Sequence, residues 1–183
     1  MGWWRLGELG AATQQYFGAP KDMVIWDKSD AGRGSFYRCQ HEHIAVYVAG
    51  GTAPASNVRL GDRARYRSNV WSYPGAKTAG RNWLTGARFS ATLKPVALLV
   101  DALRDCSKRG QIVLDPCAGV GTMMIAAERT GRRARSIEID PAYCDRIVRR
   151  WQTLTGKTAR LAESQQTFAE LEARRLGASG GRE

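Results

Sequence analysis

Long apolar runs are missing from this sequence. Even the stretch from Val96 to Val100 stops at Asp101, far short of the roughly 18 consecutive apolar residues a membrane-spanning helix needs. Histidine is nearly absent, with only His41 and His43, and the four cysteines, Cys39, Cys106, Cys117 and Cys144, form no C-x-x-C pair. A zinc centre would need an unusual ligand set, so no metal is expected, and the thiols read as reduced and mostly buried. Acids are scarce as well: 17 Asp and Glu stand against 28 Lys and Arg, a formal net charge of +11. A basic field of that size attracts polyanions and speeds their encounter, which makes nucleic acid the first partner to consider. The six prolines are all isolated, with no two adjacent. The opening Met1-Gly2-Trp3-Trp4-Arg5 lacks the basic-then-apolar layout of a secretion signal, so a cytoplasmic protein with no membrane partner is expected.

What is present is enough for one domain with a real core: 183 residues, 43% of them apolar. The spacing predicts a helix over Leu6 to Phe17, then strands over Met23–Trp26 and Ile44–Val48. Between the strands, Ala31-Gly32-Arg33-Gly34-Ser35 reads as a basic loop that, with Arg38, could contact phosphate. From Gly50 to Phe89 the periodicity fades into glycine, proline, arginine and aromatic residues, too long for an ordinary connection. Val96, Leu99, Val100 and Leu103 then fall on one helical face, and Gly110 marks the end of that helix. A fully apolar, buried strand follows at Ile112–Leu114, then a helix over Thr122–Thr130 closed by Gly131, and a strand over Ser136–Ile139. Asp140-Pro141 caps a further helix that turns Tyr143, Ile147, Trp151 and Leu154 inward and stops at Gly156. Beyond it lies a polar segment with modest helical spacing at Leu161, Phe168 and Leu171, then a Gly/Ser tail expected to be disordered. Strand and helix alternating through short links mean a parallel sheet with right-handed crossovers, an α/β fold.

The most informative stretch is Ile112-Val113-Leu114-Asp115-Pro116-Cys117-Ala118-Gly119-Val120-Gly121-Thr122. A strand ends in an acid, a glycine-rich turn follows, and a helix starts directly. The turn lets a ligand approach the backbone, and free amides at the helix start favour its negative groups. Glu138, at the end of the next strand, is placed to meet both hydroxyls of a ribose. Two nucleoside readings compete. A dinucleotide fingerprint needs a small residue where Met124 stands, whereas an S-adenosylmethionine site needs a carboxylate at the strand end for the ammonium group of methionine, which Asp115 supplies. The second reading fits better.

These motifs, in this order, resemble the permuted class of DNA amino-methyltransferases that modify adenine N6 or cytosine N4. Asp115 to Thr122 is similar to that family's D-P-F-x-G-S-G-T, Thr92-Leu93-Lys94-Pro95 to its T-x-K-P, and Ile137 to Tyr143 to its E-L/I-D-P-x-Y. Trp26-Asp27-Lys28, Tyr37 to Glu42, and Asn69-Val70-Trp71 resemble segments between the family's catalytic motif and its recognition region. The resemblance implies a Rossmann-like methyltransferase fold using S-adenosylmethionine. Its cofactor site would be bordered by Asp115, Pro116, Cys117, Gly119, Gly121, Thr122, Glu138, Thr92 and Lys94. It further implies that residues 1–49 and 91–160 form one methyltransferase core, that 50–90 is an inserted recognition region facing double-stranded DNA, and that 161–183 is a polar helix and tail.

In that recognition region Arg59, Arg63, Arg65, Arg67, Lys77, Arg81 and Arg88 are interleaved with Tyr66, Trp71, Tyr73 and Trp83. Arginine neutralises phosphates and reads guanine edges, and aromatic rings stack on exposed bases; Trp71 joins the basic residues as an expected DNA contact. His41 and Glu42 read as a structural hydrogen-bonded pair, since amine methylation needs no histidine. The departures are specific. The family places a D/N/S-P-P-Y/F/W motif at the end of a central strand, ahead of everything seen here, where it holds the exocyclic amine and stacks on the flipped base. Without adjacent prolines this chain has no such motif, so no catalytic residue is assigned. The aromatic residue and serine of the family's glycine loop are Cys117 and Val120 here, a loss of about 1–3 kcal/mol of packing and hydrogen bonding. The sequence therefore predicts a methyltransferase in truncated or split form, its central strand supplied by a second polypeptide, or else an inactive DNA-binding or assembly subunit of the same descent. An RNA or protein substrate fits the arginine and aromatic content as well.

Overall fold

The computed structural model describes residues 1–32, 34, 36–50, 56–58, 67–75 and 93–179. Near the N-terminus a short 3-10 turn leads into α1 (Leu6–Phe17), at the predicted bounds. None of its side chains is fully buried; it leans on Tyr47, whose hydroxyl meets Thr13 Oγ1 at 2.9 Å and whose ring lies 5.7 Å from that of Phe17. The period-2 signal at Val24 and Trp26 is a strand, β1 (Asp22–Asp27), with both side chains buried. β2 (His41–Val46) begins three residues before the predicted strand, because backbone pairing with β1 carries Glu42 and His43 into the ladder. β3 (Val70–Ser72), inside the segment of faded periodicity, runs parallel to β1 on its other side. Together they form a three-stranded sheet in the order β2-β1-β3.

The second half of the chain builds the core. α2 (Val96–Cys106) lays Val96 and Leu103 against Ile125, Ala126 and Ala127 of α3 (Thr122–Thr130). Two adjacent alanines, both fully buried, let the helices approach closely. Beneath them β4 (Ile112–Asp115) pairs in parallel with β5 (Arg133–Ser136), Val113 opposite Ala134. α4 (Pro141–Thr155) starts where the sequence predicts, with Asp140 Oδ1 accepting from Ala142 N at 2.8 Å, and adds Trp151 and Leu154 to the core. α5 (Phe168–Ser179) ends the described chain. Among the described residues no helix is long and apolar enough to cross a membrane.

Three expectations are corrected. The last strand spans Arg133–Ser136 rather than Ser136–Ile139, because alternate arginines hide its period-2 pattern. Ile137 still continues the pairing, donating to Asp115 O at 2.9 Å and accepting from Ala118 N at 3.0 Å. The β4 strand is not buried: Ile112 and Leu114 are 61% and 64% exposed, since α2 and α3 cover the Val113 face while among the described residues no element covers the opposite face. No cysteine is buried, as Cys106 and Cys117 are exposed and Cys39 and Cys144 intermediate. The β4–β5 pair forms a sheet separate from β2-β1-β3. β4's second edge has no strand partner among the described residues.

Candidate functional site

Asp115 closes β4 and turns its carboxylate back on the following loop, where Oδ1 accepts from Cys117 N at 3.2 Å. The chain then folds tightly: Gly121 N donates to Ala118 O at 2.8 Å, and Gly119 and Gly121 take φ of 55° and 74°. At Gly121 that left-handed conformation is combined with a close approach, since a Cβ there would lie 2.9 Å from Ile147 Cγ2. A glycine is needed on both counts. α3 starts directly after Gly121 with no side-chain cap. The first-turn amides therefore have no intrahelical acceptor and favour an anionic group placed over them.

Glu138 is the organiser of the loop. Its Oε2 accepts from Gly119 N at 2.6 Å, and its Oε1 from Ile139 N and Asp140 N, both at 3.0 Å. A carboxylate has about four lone-pair sites, so these three bonds pin the loop and leave capacity for a ligand hydroxyl. From behind, buried Arg150 of α4 donates Nη1 to Val120 O at 2.8 Å. Burial, and after it the nearby Arg129 charge, hold its guanidinium below the usual arginine range. Strand-end acid, glycine turn, helix start and second acid thus come together as a cradle made from Asp115, Pro116, Cys117, Gly119, Gly121, Thr122 and Glu138.

The sequence selects two further cofactor residues. Thr92 lies outside the described residues. Lys94 is drawn to Glu42: its Nζ sits 2.9 Å from Glu42 Oε2 and 5.3 Å from the centre of the Trp26 ring. Glu42 also meets Lys28 Nζ at 3.4 Å. Burial pushes its carboxyl up, but the hydrogen bond and charge of Lys94, with the Met1 ammonium and Lys28, bring it below the usual glutamate value. The expected His41–Glu42 pair is thus replaced by an acid bridging two lysines, while His41 packs edge-on against His43 with ring centres 5.0 Å apart.

Of the residues selected for DNA contact, Arg59, Arg63, Arg65, Lys77, Arg81 and Arg88 lie outside the described residues, as does Arg33 in the first basic loop. Arg67 and Trp71 are described, and they face each other, with the guanidinium 4.3 Å from the ring centre. Arg67 is already engaged, its Nη1 3.3 Å from Asp101 and its Nε 2.9 Å from Asp105, both on α2. Tyr73 completes the cluster by donating to Asp101 Oδ2 at 2.6 Å. Burial and the neighbouring Asp101 raise the Tyr73 phenol above its usual value despite the opposing effect of Arg67. A surface cavity of about 280 Å³ opens along Arg67–Tyr73. Sequence reasoning missed both the Arg67 clamp and Arg150, because a single engaged arginine leaves no periodic trace among 28 basic residues.

With this geometry in place, comparison with known proteins is decisive. A family model described as DNA methylase matches residues 7–149, well over half of the chain. The chain belongs to this DNA methylase family. Among solved structures, the family fold recurs in the M1.HpyAVI–SAM complex, with 18% identity over 82% of this chain and 71% of that one, at a TM-score of 0.62. TTHA0409 from Thermus thermophilus, solved with S-adenosyl-L-methionine, shares 25% identity over 80% of this chain and 58% of its own, at a TM-score of 0.57. The cytosine-N4-specific PvuII DNA methyltransferase shares 16% over 79% of this chain and 56% of its own, at 0.63. The matched region is thus only a little over half the length of the last two. A Rossmann-like methyltransferase fold is common to all of them.

Proposed function

We propose that this chain is the cofactor-binding part of an S-adenosylmethionine-dependent DNA methyltransferase that modifies adenine N6 or cytosine N4. We further infer that the strand carrying the D/N/S-P-P-Y/F/W motif joins it from a second polypeptide segment. The observation that carries the first statement is the cradle in which Glu138 and Asp115 flank the Gly119–Gly121 turn at the carboxyl ends of two parallel strands, the place where open α/β sheets receive nucleosides. When bound, S-adenosylmethionine supplies an electrophilic methyl group. Toward it, Glu138 would accept from the ribose hydroxyls, Asp115 would face the ammonium group, and the first-turn amides of α3 would meet the carboxylate. The basic 50–90 region serves as the DNA-facing recognition lobe, with Arg67 and Tyr73 tying it to α2.

What supports the second statement is the free edge of β4, together with the bare face formed by Ile112 and Leu114 beside Arg133 and Arg135. Parallel strands are ordinarily covered on both faces. A parallel strand on that edge would end beside Asp115, and its catalytic motif would lie over the cofactor site. The alternative, an inactive DNA-binding or assembly subunit, is favoured by one observation: the sequence holds no adjacent prolines.

A methyl-transfer assay separates the two. The chain alone, with labelled S-adenosylmethionine and DNA, should transfer nothing. The same chain co-expressed with the polypeptide encoded immediately upstream should transfer label to DNA. Label transfer to DNA by the chain alone contradicts the split reading, and no transfer by an assembled pair that binds DNA supports the inactive subunit.

A further inference from the structure

α4 reaches the cofactor loop at two points one turn apart. Ile147 packs against Gly121, where even a methyl group would be 2.9 Å away. On the same face, Arg150 is 6% exposed and donates to Val120 O at 2.8 Å. The peptide unit that joins Val120 to Gly121 is therefore held from both ends. Its carbonyl takes the Arg150 guanidinium, and its N–H goes to Ala118 O at 2.8 Å. The next amide along the chain is that of Thr122, the first of the α3 donors without an intrahelical acceptor. The plane of the Val120–Gly121 peptide sets the direction in which those donors point.

Burying a guanidinium costs several kcal/mol in solvation. A methylene chain would fill the space under the loop without that cost. The arginine contributes a planar, always-charged donor, long enough to reach the loop from the third turn of α4 and stronger than a neutral one. Glu138 fixes the loop from the ligand side through Gly119, and Arg150 fixes it from the opposite side through Val120.

We propose that Arg150 is a positioning residue for the cofactor loop, holding the first-turn amides of α3, from Thr122 on, in the orientation that receives the anionic group of the cofactor. The ligand assignment rests on the proposed S-adenosylmethionine reading; the loop-holding role does not. Arg150 acts on the loop through the Val120 carbonyl.

The test uses the full chain with Arg150→Met and Arg150→Lys, and two readouts. The first is amide hydrogen exchange. The hydrogen-bonded amides of Ala118, Gly119 and Gly121 should exchange about tenfold faster or more in Arg150→Met, while Ile125 to Ala127 keep their protection. The second is titration with S-adenosylmethionine. Its Kd should rise roughly 10- to 100-fold, the range for losing a hydrogen bond to a charged donor. Millimolar guanidinium ion should restore part of the binding in the Met variant, which a purely structural filler would not allow.

A folded Arg150→Met variant with unchanged loop exchange and a Kd within about twofold of the parent overturns the proposal. If Arg150→Met does not fold, the Lys variant decides: loosened loop amides support the role, and unaltered ones overturn it. Wild-type chain that binds no S-adenosylmethionine sinks the cofactor reading instead, and the exchange readout still judges Arg150.

Discussion

Lys94 and Glu42 are 52 residues apart in sequence, yet their charged atoms lie 2.9 Å apart. They tie the segment entering the cofactor half to the β2-β1-β3 sheet. The Glu42 carboxyl lies below the ordinary glutamate value of 4.5, so its contribution to stability is fully present above that value. It is lost as the pH falls through the lower, folded-state pKa. Glu42→Gln should destabilise the chain by about 1 kcal/mol at neutral pH, a figure kept small because Lys94 is partly solvated. The deficit relative to wild type, measured by denaturant unfolding, should shrink as the pH is lowered below 4.5. At this scale the sequence was legible where the signal was positional. Asp115 and Glu138 stand just where strands give way to turns, and both meet loop amides. Lys94 was legible as a member of a motif, but its partner was not, since nothing in the local pattern of either residue encodes a contact between two distant segments. Arg67 was selected for its charge, and the same charge is taken up by Asp101 and Asp105.

Helices announced themselves better than strands. α3 and α4 carry both an apolar period and punctuation: glycine before and after α3, and Asp140-Pro141 ahead of α4 with Gly156 behind it. Asp140→Ala should cost about 1 kcal/mol of stability through the lost cap. Gly121→Ala should cost more, about 1–3 kcal/mol, because it combines an unfavourable left-handed backbone with overpacking on Ile147. Thermal unfolding of the two variants side by side checks the order. The sequence missed β3 and misplaced β5, for different reasons. β3 has three residues and sits in a segment rich in arginine and glycine, too short to establish a period. β5 alternates arginine with small residues, and its arginines share the open face with Ile112 and Leu114 instead of pointing into a core.

At the scale of the molecule, two sheets stand where a doubly wound fold has one. The absence of a proline pair leads the sequence reading to expect a missing central strand beside β4, and among the described residues the second edge of β4 has no strand partner. The sequence did not anticipate that Ile112 and Leu114 would be exposed, because an apolar run reads as buried whether or not its cover is present. Leu114→Lys should change the stability of the chain by no more than about 0.5 kcal/mol, as expected for an exposed site. The same substitution should abolish co-purification with the proposed strand-bearing polypeptide. Large destabilisation of the chain alone would mean that the β4 face is already covered.

The central claim is that the cradle at the end of β4 holds S-adenosylmethionine, and calorimetric titration of the 183-residue chain tests it directly. The account predicts saturable binding near one cofactor per chain, lost in Asp115→Ala and in Glu138→Ala while both variants keep a cooperative unfolding transition. Absence of binding by the folded wild-type chain, or binding indifferent to both substitutions, would contradict it.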